Sequence, residues 1–185
     1  MDYQLDLKEA NGFDLLDWFS SGAQEVAAHK KYLNDINVFP VADGDTGTNL
    51  STTLRAMVEK PPRARSFAGM LKGISQSGLE SARGNSGIIF ASFVNGIAQE
   101  CQMAEVVDVK EFSGIANRAV RHLYEAVEHP VEGTLMSIIR DWAAFWSPTR
   151  ITSPVFTSCF PKRIKVRWPL LKKQRSNCRC LENTM

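Results

Sequence analysis

A chain of 185 residues has room for one domain and one core. Its apolar content of 44% is ordinary for a globular protein, and it holds no run of about 18 apolar residues, which argues against membrane insertion. The start, Met1 to Asp6, lacks the basic residues and apolar stretch of a signal peptide, so a cytoplasmic location is expected.

The net charge of +2 is unevenly spread. Residues 146–185 hold nine Lys/Arg against the single acid Glu182, a tail of +8 on a body of −6. Three of the four cysteines, Cys159, Cys178 and Cys180, also lie in the tail, and Cys101 lies in the body. Cys178-Arg179-Cys180 is tighter than the usual two-residue spacer of metal or redox pairs, so unpaired thiols are expected.

In chain order, Asn11 caps a first helix to about Lys31, with Phe13, Leu16, Phe19, Ala23, Val26 and Ala27 at helical spacing. A loop through Asn34–Val41 follows, since Pro40 cannot sit inside a helix. A second helix starts near Thr46 with Leu50, Leu54 and Met57, and ends at Pro61-Pro62. Ser66 to about Leu79 forms a third, around Phe67, Met70, Leu71 and Ile74. After Gly84 a fourth runs to about Gln99, with Ile88, Ile89, Phe93, Val94 and Ile97 inward. A fifth carries Phe112, Ile115, Ala119, Leu123 and Val127, and stops at His129-Pro130. A sixth starts near Glu132 and carries Leu135, Ile138, Ile139 and Trp142. No segment alternates long enough for a sheet, so the body is predicted all-α.

Three stretches carry chemistry. In Asp43-Gly44-Asp45-Thr46-Gly47-Thr48-Asn49, two carboxylates two residues apart point to one side of an extended turn just before a helix, where they can bind metal. The free N–H groups of that helix, with Thr46 and Thr48, can hold phosphate oxygens. The plainer reading is an Asp cap on a glycine turn. An EF-hand fails, because its sixth position would be Thr48 and its twelfth Leu54. In Ser81-Ala82-Arg83-Gly84-Asn85-Ser86-Gly87, small residues open an apolar helix, Asn85 or Ser86 can cap it, and the N–H groups form an anion pocket. The alternative is a capped helix whose glycines permit close helix packing. No Gly-Lys-Ser/Thr occurs, so this is not a Walker A loop. Pro130-Val131-Glu132-Gly133-Thr134-Leu135-Met136 is a weaker third helix start.

Together and in this order, these stretches resemble DhaL-type kinase domains. Asn37-Val38-Phe39-Pro40 leading into the Asp-Gly-Asp turn, Thr46 where the dihydroxyacetone kinase branch usually has His, and the second motif at 82–87 are most similar to the N-terminal nucleotide-binding domain of the bacterial fatty acid kinase catalytic subunit. The resemblance spans about residues 5–145. It implies an antiparallel helical barrel with ATP and two Mg²⁺ at one end. It implies Asp43 and Asp45 as metal ligands, and places Asn37 near a third acidic ligand of the dihydroxyacetone kinase branch. Thr46, Thr48, Asn49 and the turn of Gly84, Asn85, Ser86 and Gly87 would meet the phosphates. Thr134, Leu135 and Met136 would lie near the adenine, with no catalytic group beyond the metal and nucleotide sites. The implied activity is phosphorylation of a fatty acid presented by a DegV-type lipid-carrying partner. The alternatives are a glycerone (dihydroxyacetone) kinase subunit and a nucleotide-binding remnant without turnover. No nucleic acid partner is expected, and a homodimer is compatible with the resemblance. Mg²⁺ suits this residue set, because it takes one or two carboxylates and completes its shell with phosphate and water.

The resemblance stops near Trp142. Prolines 148, 154, 161 and 169 break any long helix in the tail, and no acid stands between Asp141 and Glu182. The preferred reading of 146–185 is a disrupted reading frame that leaves the barrel incomplete. The other readings are a solvated natural tail and a nucleic-acid or membrane arm built on Trp146 and Trp168. Residues 147–185 are not expected to form a compact extension of the body.

Overall fold

The computed structural model describes residues 7–146 and Phe156. Among them are seven helices: α1 (Gly12–Ala28), α2 (Lys30–Asp35), α3 (Thr46–Glu59), α4 (Phe67–Ser81), α5 (Gly84–Glu100), α6 (Val109–Ala126) and α7 (Leu135–Phe145). A two-stranded antiparallel pair, β1 (Glu9–Ala10) with β2 (Val107–Asp108), is the one departure from the all-α expectation. It fastens the start of the described chain to the α5–α6 connection.

Local signals explain most boundaries. Asn11 accepts from the Phe13 and Asp14 amides, while Asp14 reaches back to the Asn11 N–H, forming a full capping box. Ser66 caps α4, Asp108 caps α6 and Thr134 caps α7, each through a side-chain oxygen. The predicted first helix is in fact two. Its last turn tightens at His29, whose N–H reaches both Ala27 O and Glu25 O, and α2 continues to Asp35. α2 buries none of its own residues; the α3 start lies against it, so closely that a Cβ on Gly47 would meet Lys30 O at 2.3 Å.

α3, α4 and α5 pack against one another, α1 covers α3 and α4, and α6 and α7 close the other side of α5. The core is tied together by aromatic rings around Phe112 on α6. Trp18, Phe67, Trp142, Trp146 and Phe156 meet it edge-on with centroids 6.0–6.4 Å away. Across the α5–α6 contact, Glu100 accepts from Arg118 Nε at 2.5 Å and pairs with His122 at 2.8 Å, and these partners, Arg118 first, hold its carboxyl below its usual range. Cys101 is a buried free thiol, its pKa raised chiefly by burial.

Four of the apolar positions expected to face inward are exposed instead, Ala27 among them. Phe13, Ile88 and Ile138 are 48%, 52% and 41% exposed, and Leu15 takes the core position expected of Phe13. Trp146, assigned to the tail, is buried on Phe112 and Trp142. The expectations for 147–185 lie outside the described residues except at Phe156. There the outcome differs: the ring is buried against Trp18 and Phe112, and its N–H donates to Leu7 O at 2.8 Å. A single aromatic side chain needs no helical period to find the core, so this contact was invisible to a periodicity argument.

Phe112→Ala is expected to cost about 3–5 kcal/mol, because it deletes the ring that the other aromatic rings share. Urea unfolding followed by circular dichroism measures this; a loss under about 1 kcal/mol would show that the aromatic cluster holds together without it.

Candidate functional site

One end of the bundle gathers the N-termini of α3, α5 and α7 and the C-termini of α2 and α6 around a pocket of about 430 Å³. That volume suits a small-molecule ligand. Its polar lining includes Asn37, Asp43, Asp45, Thr46, Asn85 and Ser86; its apolar lining comes from Ile89, Val127, Val131, Leu135, Met136 and Ile138 together with Leu33, Ile36, Phe39, Pro40, Val41 and Leu50. Among the described residues no Lys or Arg lines it.

The polar lining includes two helix starts whose own N-cap residues cap no amide, although Asn34 Oδ1 accepts the Thr48 N–H in the first turn of α3. Asp45 is the N-cap of α3 and Arg83 that of α5, yet neither makes a side-chain capping bond. The other described helices of more than ten residues, α1, α4, α6 and α7, are all capped by a side chain. An uncapped start presents N–H groups and the positive end of the helix dipole, which favours an anion. Gly44 at φ +65° turns the chain between the two aspartates, and Asn37 Nδ2 donates to Asp43 Oδ1 in a short contact. The simple capping reading of the Asp-Gly-Asp turn is thus not what the structure shows, since the Asp45 carboxylate caps nothing.

The two starts are locked together. Ser86 Oγ donates to Thr46 O at 3.3 Å, and Thr53 Oγ1 donates to Asn49 O while accepting the Arg83 N–H. Gly84 has φ +55°, and a Cβ there would lie 2.0 Å from Asn49 Nδ2. So neither Asn85 nor Ser86 caps α5; Gly84 and the Arg83–Thr53 bond shape its start instead.

The sequence-predicted residues divide. Asn37, Asp43, Asp45, Thr46, Asn85, Ser86, Thr134, Leu135 and Met136 all line the pocket. Thr48, Asn49, Gly84 and Gly87 do not. Thr48 faces the other side of α3, where its N–H and hydroxyl both bond Asn34. The Asn49 amide nitrogen is buried, with no hydrogen-bond partner among the described residues. Gly87 serves helix packing, because a Cβ there would meet Thr53 Oγ1 at 2.5 Å. Gly87→Val therefore damages the α3–α5 contact directly.

Sequence reasoning missed the anchor of the apolar wall. Glu132 accepts from Tyr124 OH at 3.0 Å, Ser137 Oγ at 2.7 Å and Arg140 at 2.6 Å, and Ser137 Oγ in turn accepts the Gly133 N–H. These bonds, that of Ser137 first, hold its carboxyl below the usual carboxylate range. The network ties the α6–α7 connection, which supplies Val127, His129, Val131 and Thr134 to the pocket, to both flanking helices. Local spacing gave one signal: Glu132, Ser137 and Arg140 fall on one side of the α7 start.

For metal, the described residues contain no cluster of three or more His, Cys, Asp or Glu. Asp43 and Asp45 on one turn fit Mg²⁺ that completes its shell with ligand phosphate and water, and do not fit a cage made wholly of protein. Asn37, placed with its amide nitrogen toward Asp43, serves that carboxylate as donor; to act as a third ligand its amide would have to be reversed.

Because the folded pKa of Glu132 is depressed, its anchoring is present at neutral pH and lost as pH falls through that depressed value. Glu132→Ala is expected to speed amide exchange across 127–134 severalfold at neutral pH, with α3 to α5 unchanged. Unaltered protection in that connection would remove Glu132 from this role.

The DAK2 domain family matches residues 40–156. An uncharacterized protein of Mycoplasma pneumoniae is 29% identical over 176 residues, covering 90% of this chain and 32% of its own length. Uncharacterized proteins of Staphylococcus saprophyticus and Staphylococcus epidermidis are 34% identical over 124 residues and 31% over 139, covering 66% and 74% of this chain. They are covered over 22% and 25% of their lengths, so the chain spans a third or less of the relatives it matches. The family match runs past residue 145, in keeping with the buried ring of Phe156. The helical fold and this match over most of the chain place it in the DAK2, DhaL-type domain family, a kinase-related family whose members bind ADP or ATP.

Proposed function

We propose that the pocket binds Mg²⁺–ATP and that this domain is the nucleotide-binding module of a phosphotransferase. One observation carries the reading: the two long helices whose own N-cap residues make no side-chain capping bond start side by side at the pocket, beside the paired aspartates, with the Thr48 amide of α3 taken by Asn34. Open helix starts attract phosphate, but Asp43 and Asp45 repel it. No Lys or Arg lines the pocket among the described residues to offset that repulsion, so the combination favours a phosphate that arrives with a divalent cation. Two Mg²⁺ ions held by the aspartates would neutralise charge on the triphosphate, as phosphoryl transfer requires.

The residues of this chain then position the donor. The N–H groups of Asn85 and Ser86 hold phosphate oxygens, the Ser86–Thr46 bond keeps the two helix starts in register, and the apolar wall takes the base. Transfer breaks the bond between the γ-phosphorus and the β–γ bridging oxygen and forms one to the acceptor oxygen, with ADP leaving. For the acceptor, the sequence around the Asp-Gly-Asp turn supports a fatty acid carboxylate presented by a DegV-type carrier, which would yield an acyl phosphate. The family's kinship with dihydroxyacetone kinases supports that ketone's hydroxyl as a second reading.

In titration calorimetry, Mg²⁺-dependent ATP binding is expected, and Asp43→Asn or Asp45→Asn should weaken it about tenfold or more, the scale of losing a contact to a charged group. Both side chains are at least partly exposed and Asp45 caps nothing, so helix content should be unchanged by circular dichroism. Equal ATP affinity in both variants would rule the site out. ATP binding without phosphate transfer to either acceptor would identify a nucleotide-binding module without turnover.

A further inference from the structure

The Asp-Gly-Asp turn owes a free carboxylate to a residue outside it, an inference that rests on the nucleotide-binding reading above, in which Asp45 holds a cation. We propose that Asn34, near the end of α2, is the positioning residue of this turn: it caps α3 in place of Asp45 and so leaves the Asp45 carboxylate to the metal. Aspartate is among the residues best suited to an N-cap, where its side chain accepts the amide two or three residues on. Three residues on from Asp45 is the Thr48 N–H, and that amide is already taken. Asn34 Oδ1 accepts it at 3.1 Å, and Asn34 Nδ2 donates to the Thr48 hydroxyl at 3.0 Å, so both ends of the side-chain amide are fixed on one residue. Gly47 makes this approach possible, because a Cβ there would lie 2.3 Å from Lys30 O and 3.0 Å from Asn34 Oδ1.

The backbone carries the mark of this exchange. Asn11, Ser66, Asp108 and Thr134, which cap their own helices, are all extended, with ψ of −174°, 139°, 172° and −172°. Asp45 is already helical, at φ −116° and ψ −4°, and its side chain makes no capping bond. Among the described helices of more than ten residues, only α3 has a capping residue type at its N-cap that does not cap. Asn37, three residues after Asn34, donates to the Asp43 carboxylate. The end of α2 and the residues just beyond it thus govern both aspartates, Asp43 by a direct bond and Asp45 by taking over its cap, although α2 buries none of its own residues. Without Asn34 the Thr48 amide is open to the Asp45 carboxylate, which the amide and the helix dipole both attract. Helix start and cation then compete for the same carboxylate.

The test is titration calorimetry of the full chain with ATP, with and without Mg²⁺. Asn34 is half-buried in a helix that buries none of its residues, so helix content by circular dichroism should survive its substitution. Asn34→Ala is expected to weaken Mg²⁺-dependent ATP binding about fivefold or more. Asn34→Asp, which keeps an acceptor for the Thr48 N–H, should bind as tightly as the unmodified chain or tighter. In Asp45→Asn no carboxylate remains to be diverted, so adding Asn34→Ala to it should change affinity by no more than about twofold. Normal affinity in Asn34→Ala, or a loss in Asn34→Asp as large as in Asn34→Ala, overturns the inference and leaves the nucleotide-binding reading intact. So does a further loss in the double variant equal to that of Asn34→Ala alone, since Asn34 would then act apart from Asp45. No Mg²⁺-dependent binding in the unmodified chain defeats the nucleotide-binding reading and this inference with it.

Discussion

The hydroxyl of Thr53 is fully buried between α3 and α5 and serves both, donating to Asn49 O in its own helix and accepting the Arg83 N–H at the start of the next. Gly87 lets α5 approach until its backbone touches that hydroxyl, and Gly84 turns the chain across the Asn49 side chain. A buried hydroxyl with both roles filled is rigid, and removing it would leave the Arg83 N–H without its acceptor. This contact sets the distance between the two uncapped helix starts. Ser86 adds a second tie to Thr46, so the anion-facing end of the pocket is fixed by the packing of two helices and not by the loops above it.

From that constraint the electrostatics follow. Two helix dipoles converge on a volume that also contains Asp43 and Asp45, and among the described residues no basic side chain lines it. Such a site is unfavourable to a bare phosphate and to a neutral ligand alike; a polyphosphate carrying divalent cations satisfies both the open amides and the carboxylates. The opposite wall has different support. The α6–α7 connection hangs on Glu132, whose three bonds are solvent-exposed, so that wall is held by a weaker and more adjustable device than the phosphate end. On the nucleotide reading proposed above, the rigid end would take the phosphates and the more adjustable end the base.

Much of this was legible because it is local. The cap at Asn11, the glycine turn between two aspartates, and helix starts near Thr46, Ser66 and Gly84 are written in neighbouring residues, and the structure has them within a residue or so of where the sequence predicts. What the sequence could not show depends on partners far along the chain. Gly87 and Thr48 sit inside motifs and read as ligand contacts, but their neighbours are Thr53 and Asn34. Ile88 and Ile138 have helical spacing for the core, but face the pocket mouth, because periodicity does not distinguish a core from an apolar cleft. Likewise, nothing local connects Phe156 to Trp18 and Phe112, or Asn37 to Asp43, although each pair helps to shape the fold or the site.

The central claim is that the aspartate turn and the two open helix starts act as one metal–triphosphate site. Backbone NMR with Mn²⁺ as the probe tests it most directly, since the ion broadens amide resonances near it. In the presence of a non-hydrolysable ATP analogue, the account requires broadening of the amides of Asp43, Asp45 and Thr46 together with those of Asn85 and Ser86, and much weaker broadening at all of them with Mn²⁺ alone. Broadening at the aspartate turn that leaves Asn85 and Ser86 sharp, or that is equally strong without nucleotide, would contradict it.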